Sequence, residues 1–141
     1  MRILIDTNVL IDYLTGRMPY FTLADNIIHL CSDAKIKGFM AAHSINDMYY
    51  ILRKEYDDTT RREMLRSLFD ILEVSGLDKN ILLKALERNN FKDFEDCIQD
   101  ECASVCKVDF IVTRNVKDFE TSTVKAISPD EFMDEYNKTL S

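Results

Sequence analysis

Polar side chains follow two apolar runs of the sequence, at the points where those runs end. Asp6 comes directly after Ile3-Leu4-Ile5, and Asn115 and Asp118 come shortly after Phe110-Ile111-Val112-Thr113. Apolar or β-branched runs of this length are typical of strands buried in a parallel sheet. Because ligands bind beyond the carboxyl ends of such strands, we expect these side chains and Thr113 to lie near one binding site.

Two more acids fall near the beginnings of helical segments. Asp47 comes three residues after Ser44, and Asp96 comes three residues after Asp93. Each has an ordinary explanation as a capping-box residue or as a negative charge near a helix N-terminus. Together with the two aspartates that follow the strands, however, they place four acids at element ends that can converge on one rim of the sheet. We therefore predict an acidic cluster there.

A cluster of carboxylates favours a particular chemistry. Neighbouring carboxylates repel one another, and burial disfavours their charged form, so the cluster is costly without a cation. Hard oxygen ligands select Mg²⁺ or Mn²⁺, which can activate a water molecule and stabilise charge on a phosphate. No glycine-rich phosphate loop competes with this interpretation, and His29 and His43 lack a matched nucleophile, so we expect both histidines to be structural or solvent-facing.

The elements that position these residues alternate between strands and helices. Strands are predicted at residues 2–6, 38–42, 72–75, 108–113 and 123–127. Helices are predicted at residues 8–14, 21–34, 61–72, 78–88 and 93–107, with two more beginning at Ser44 and after the Ser128-Pro129 cap. This alternation predicts a three-layer α/β/α sandwich with a mainly parallel central sheet.

Composition limits the class of protein further. The chain has 141 residues, of which 46% are hydrophobic, and we expect one domain over residues 1–141. No run approaches the length of a membrane span or of a signal peptide, so we expect a cytoplasmic protein whose four cysteines are free thiols. The net charge of −7 argues against simple nucleic-acid binding through a broad basic face.

Four blocks of sequence, in order, resemble the motifs of the PIN-domain nucleases, and in particular their toxin-type (VapC-like) members. The blocks are residues 3–10, 44–52, 93–96 and 111–119, so the resemblance spans residues 2 to about 119. It implies a parallel sheet flanked by helices, with a Mg²⁺ or Mn²⁺ site that hydrolyses phosphodiester bonds of RNA. The products would carry 5′-phosphate and 3′-hydroxyl ends.

The resemblance also implies a role for each matched residue. Asp6 and Asp96 would be the principal metal ligands, with Asp118 as a further one. Asp47 would be the acid of the second block, Asn115 would complete the rim, and Thr113 would support the site by hydrogen bonding. Many members have glutamate in place of Asp47 and aspartate in place of Asn115, and the neutral amide of Asn115 weakens the case for a second metal ion.

Partners follow from the same resemblance. Many members are toxins of toxin–antitoxin pairs and many dimerise, so the expected partners are an RNA substrate, an antitoxin protein and a second copy of the chain, with no membrane. The nearest sequence candidates for contacts with phosphates are Arg17, Lys54, Arg114 and Lys117.

Two alternatives remain open. A phosphatase of the haloacid dehalogenase type also begins with an aspartate after a first strand, but it requires a second acid two residues later, where this chain has Asn8. A non-catalytic PIN-like module that binds RNA or a protein is compatible with the acidic net charge and with Asn115.

Overall fold

The computed structural model describes all 141 residues and has a central sheet of five strands, all of them parallel. The strands are β1 (Arg2–Ile5), β2 (Lys37–Ala41), β3 (Glu73–Ser75), β4 (Phe110–Val112) and β5 (Ala126–Ile127). Their order across the sheet is β3-β2-β1-β4-β5, so β1 lies in the centre. The predicted parallel arrangement is confirmed.

Seven helices connect and cover the strands. They are α1 (Thr7–Thr15), α2 (Phe21–Ser32), α3 (Ala42–Ile51), α4 (Asp58–Phe69), α5 (Lys79–Glu87), α6 (Phe94–Val105) and α7 (Pro129–Lys138). Short 3₁₀ turns follow α3 and β4, at Leu52–Lys54 and Val116–Phe119. No helix is both long enough and apolar enough to cross a membrane.

The core lies on both faces of the sheet, as the period-two geometry of a strand requires. Ile3 and Ile5 pack with residues of α1, α2, α3, α4 and α7, whereas Leu4 packs on the opposite face with Ala103 of α6. All three β1 side chains are fully buried. This arrangement gives the three layers of an α/β/α sandwich and explains why β1 is apolar from Ile3 to Ile5.

Two predicted boundaries are wrong for identifiable reasons. Helix α3 begins at Ala42, directly after β2, so Ser44 lies inside the helix rather than capping it. Helix α4 begins at Asp58 rather than at residue 61, because the Asp57 side chain accepts a hydrogen bond from the Thr60 N–H and caps the helix earlier. In contrast, the predicted caps at Asp93 and Ser128 are confirmed.

Strand β5 is shorter than predicted because the residues that precede it are hydrogen-bonded to a buried carboxylate. Asp100 is fully buried and accepts hydrogen bonds from the backbone N–H groups of Thr123 and Val124, at 2.8 and 3.0 Å. The Arg88 guanidinium pairs with the same carboxylate at 2.8 Å. These bonds replace the ladder hydrogen bonds that Thr123 and Val124 would otherwise donate, and the strand is limited to Ala126–Ile127.

The four cysteines are free thiols, as predicted. Cys31, Cys97 and Cys102 are buried, and Cys106 is half-buried. Burial raises the pKa of the Cys31 thiol to about 12, which is the behaviour of a packing residue rather than of a reactive thiolate.

Candidate active site

A cavity of about 440 Å³ opens at the carboxyl edge of the sheet, above the ends of the central strand β1 and its neighbour β4. The backbone N–H of Asp6 bonds to the carbonyl oxygen of Val112, so the residues that follow β1 and β4 lie side by side. The acids that line the cavity are Asp6, Asp47, Glu95 and Asp96. Three of the four predicted acids therefore share one site.

Asp6 lies at the floor of the cavity and is only 7% exposed. It is the N-cap of α1, and its Oδ1 accepts a hydrogen bond from the Thr7 backbone N–H at 2.8 Å. The Thr113 hydroxyl donates to Oδ2 at 2.8 Å, and the Asn8 amide donates to the same oxygen at 3.3 Å. Burial raises the pKa of Asp6, while the donors from Thr113 and Thr7 act in the opposite direction.

Thr113 supports this carboxylate from behind. It is fully buried, and its Oγ1 also accepts a hydrogen bond from the Asn115 backbone N–H at 3.0 Å. A threonine at the end of β4 therefore connects the Asp6 carboxylate to the loop that carries Asn115. Asn115 itself is exposed and lines the cavity.

Asp96 lies in the first turn of α6, half-buried in the wall of the cavity. Burial raises the pKa of its carboxyl group to about 7, with further contributions from the negative charges of Asp6, Asp93 and Asp118. The helix cap is Asp93, whose carboxylate accepts hydrogen bonds from the backbone N–H groups of Glu95 and Asp96. Asp96 therefore does not cap α6. Its carboxyl group lies near several negative charges, which a bound cation would offset.

Asp47 and Glu95 meet across the same cavity from α3 and α6. Burial raises the pKa of Glu95, and the charge of the neighbouring Asp47 raises it further. Sequence reasoning missed Glu95, although it is adjacent to Asp96 in the third motif block. His43, one turn before Asp47, also lines the cavity. Burial lowers its pKa, which favours the neutral ring.

Asp118 does not line this cavity. It is exposed and lies in a neighbouring depression of about 490 Å³ that also contains Lys92, Asp93 and Lys117. Asp96 lines both spaces, and the charge of Asp118 raises the pKa of Asp6 and of Asp96. Asp118 therefore influences the site electrostatically from the adjacent depression.

Arg114 brings a fixed positive charge to the wall of the cavity. Its Nε donates to Oδ2 of Asp12 at 2.7 Å, and its guanidinium lies 4.0 Å from the centre of the Tyr20 ring. Asp12 is only 1% exposed, which sequence reasoning missed because its partner lies 102 residues later. Arg17 also lines the cavity, whereas Lys117 lines the neighbouring depression.

The donor set suits a hydrated hard cation. Asp6 and Asp96 contribute carboxylates to one cavity, and Mg²⁺ is usually held by one or two carboxylates together with several water molecules. No three histidine, cysteine, aspartate or glutamate side chains are grouped closely enough to enclose a metal ion by themselves. The set of Asp6, Asp96 and Asp118 is therefore not assembled as a three-carboxylate cage.

Solved structures of low sequence identity share the fold. A toxin–antitoxin complex from Klebsiella pneumoniae is 20% identical, with 90% of this chain and 97% of that chain covered and a TM-score of 0.68. VapBC2 from Rickettsia felis, bound to a DNA fragment from its promoter, is 14% identical, with 91% and 98% covered and a TM-score of 0.66. VapC20 from Mycobacterium tuberculosis, a toxin that cleaves the sarcin–ricin loop, is 12% identical, with 77% and 86% covered and a TM-score of 0.63.

Sequence comparison identifies the family. No protein of curated function matches the sequence. The family model described as the PIN domain matches residues 2–117, which include Asp6, Asp47, Asp96, Thr113 and Asn115. The chain therefore belongs to the PIN domain family.

Proposed function

We propose that this protein is a Mg²⁺- or Mn²⁺-dependent endoribonuclease that acts as the toxin of a toxin–antitoxin pair. The observation that carries the proposal is the pair of carboxylates in one cavity. Asp6 and Asp96 face the same space, and burial together with repulsion from neighbouring carboxylates raises the pKa of both. Such an arrangement destabilises the fold unless it binds a cation, and perturbed carboxyl groups in a cleft are typical of functional sites.

Asp6 and Asp96 would hold the cation, which when bound lowers the pKa of a water molecule and offsets negative charge on a phosphate. Residues of the chain orient the Asp6 carboxylate and release the proton of Asp96. Thr113 and Asn8 hold the Asp6 carboxylate in one orientation. Asp96, whose pKa is about 7, gives up its remaining proton when a positive charge enters the cavity. In hydrolysis a water oxygen bonds to phosphorus, and the bond from phosphorus to the 3′ oxygen breaks.

Two arginines support RNA as the substrate despite the acidic net charge. Arg114 and Arg17 line the cavity beside its four acids, so two guanidinium groups are placed to contact a phosphate there. The Asp12 carboxylate and the Tyr20 ring hold the Arg114 guanidinium in place, which reduces the entropy lost when it contacts a phosphate. Local cations of this kind let an acidic protein bind nucleic acid without a broad basic face.

Cleavage of mixed single-stranded RNA by the purified protein tests the enzymatic proposal. Cleavage is expected with Mn²⁺ or Mg²⁺, and EDTA should abolish it because without the metal ion nothing lowers the pKa of the attacking water molecule. RNA binding without cleavage in either metal would contradict the proposal and favour a non-catalytic PIN module. That alternative is supported by Asn115, a neutral amide in the wall of the cavity.

The toxin role and an antitoxin partner are supported by the related structures, two of which are toxin–antitoxin assemblies. Induced expression in a bacterium that lacks the partner is expected to arrest growth. The Asp6→Asn variant at the same soluble level should not, because it lacks a charge needed to hold the cation. Equal growth of the two cultures would contradict the toxin role. It would not bear on nuclease activity, which the cleavage assay tests separately.

We also propose that the protein forms a homodimer. Helix α5 exposes three leucines, Leu82, Leu83 and Leu86, whose exposed fractions are 36%, 44% and 64%. Exposed apolar side chains on one short helix favour association with another protein surface. Light scattering is expected to give the mass of two chains, and a one-chain mass at high concentration would contradict this.

A further inference from the structure

Gln99 lies on α6, three residues after Asp96, and faces the floor of the cavity although it is only 2% exposed. Its Nε2 donates to Oδ1 of Asp6 at 3.1 Å and to the Ser44 hydroxyl at 3.2 Å. An ionised carboxylate can only accept hydrogen bonds, so the amide directs its N–H side, not its oxygen, towards Asp6. The orientation of the Gln99 amide is thus determined by chemistry.

This orientation leaves the amide oxygen without a partner. Gln99 Oε1 is buried and receives no hydrogen bond from the rest of the chain. A buried acceptor without a donor costs free energy, and native proteins retain such groups where an ordered water or a function satisfies them. Because Gln99 lies beside the cavity, retention of this cost points to a role for its amide in the function of the cavity.

Gln99 also connects the elements that carry the acids. Asp6 follows β1, Ser44 belongs to the same helix as Asp47, and Gln99 belongs to the same helix as Asp96. The other donors to Asp6 are Thr7, Asn8 and Thr113, which lie on α1 or after β4. The amide of Gln99 therefore donates the hydrogen bond that joins the Asp6 carboxylate to α6.

We propose that Gln99 is a positioning residue for the cation site: its amide group fixes the Asp6 carboxylate relative to α6. This inference rests on the proposed function, since it assumes that Asp6 and Asp96 act on the same cation. A group that orients a metal ligand affects how tightly the metal is held without contacting the metal itself.

Calorimetric titration with Mn²⁺ tests this role, with thermal melting in EDTA beside it. Gln99→Met has a side chain of similar length but lacks both the donor and the unpaired oxygen. Its Mn²⁺ affinity should fall by about 10- to 100-fold, as is typical when a residue that orients a metal ligand is lost. Its melting temperature in EDTA should stay close to that of the parent, because the costly unpaired oxygen is lost together with the donor to Asp6. Asn80→Met, an amide-to-methionine change at an exposed position of α5, should behave as the parent does.

The possible results separate the two proposals. If the parent binds Mn²⁺ and Gln99→Met binds it equally well, Gln99 has no positioning role and the proposed nuclease is unaffected. If the parent binds no Mn²⁺, the cation site and this inference are both overturned. If Gln99→Met does not fold, nuclear magnetic resonance of the parent decides. The side-chain amide signals of Gln99 should shift as Mg²⁺ is added, and unmoved signals while other cavity residues shift would overturn the inference.

Discussion

Asp6→Asn and Asp96→Asn should each reduce metal-dependent RNA cleavage by more than about 100-fold, because the loss of a direct ligand exceeds the 10- to 100-fold cost typical of residues that orient one. Asparagine keeps the shape of the side chain but removes its negative charge. At residue 6 the effect is compounded, because Thr7 and Thr113 donate to different oxygens of Asp6, and the amide N–H₂ group that replaces one oxygen cannot accept a hydrogen bond.

Initial rates on one single-stranded RNA in Mn²⁺ measure this effect. The matched control is Asp134→Asn, an exposed aspartate on α7 that does not line the cavity, and it should cleave at the parent rate. If Asp6→Asn or Asp96→Asn cleaves as fast as this control, in preparations free of contaminating nuclease, the site has been assigned to the wrong residues.

The second prediction concerns stability without metal. Folding raises the pKa of Asp96 from 3.8 to about 7, so the folded state binds this proton more tightly than the unfolded state does. The stabilisation is complete below about pH 4 and is lost as the pH rises through about 7. The full shift would correspond to about 4 kcal/mol, but Asp96 is only half-buried, so roughly 1–2 kcal/mol is expected after solvent screening.

Thermal melting in EDTA checks this prediction. Asp96→Asn should melt a few degrees higher than the parent at about pH 8, and the difference should vanish near pH 4, where the parent carboxyl is protonated. Excess Mn²⁺ should reverse the order at pH 8, because a ligand at a hundredfold excess over Kd stabilises the folded parent by about 2.7 kcal/mol. If the variant is instead less stable in EDTA and both proteins respond equally to Mn²⁺, Asp96 is a structural residue of the α6 N-terminus.

The positions of Asp6 and Thr113 could be predicted from sequence because both depend on local pattern. Each follows an apolar run that is buried in a central strand, and parallel strands place their carboxyl ends at one edge. Asp96 was predictable for a similar reason, since the Asp93 cap indicates where its helix begins. These are short-range signals, and they were sufficient to locate most of the acidic cavity.

The position of Asp118 depends on a 3₁₀ turn that no pattern in the sequence predicts. The 3₁₀ turn Val116–Phe119 buries the Phe119 ring in the core, which directs Asp118 towards solvent and the adjacent depression. The short distance of Asp118 from the end of the strand predicts a position on the shared rim. Burial of the neighbouring Phe119 ring instead places Asp118 in the adjacent depression.

Long-range polar contacts were not predictable for a different reason. Gln99 and Asp6 are 93 residues apart, and a single glutamine within a helical segment has no distinguishing pattern. Its spacing from Asp96 was the available signal, because residues three apart lie on the same face of a helix. A glutamine on the face that carries a proposed metal ligand is therefore a candidate for the same site.

Titration of the purified parent with Mn²⁺ in a calorimeter tests the central claim most directly, because it measures the cation site without relying on a correctly chosen RNA. Saturable binding is expected, with an affinity that rises between about pH 5.5 and 7.5 as Asp96 loses its proton. Asp6→Asn and Asp96→Asn should each weaken that binding strongly. Binding of the same strength in the parent and in both variants, or no binding by the parent at about pH 7.5, would contradict a cation site built from Asp6 and Asp96.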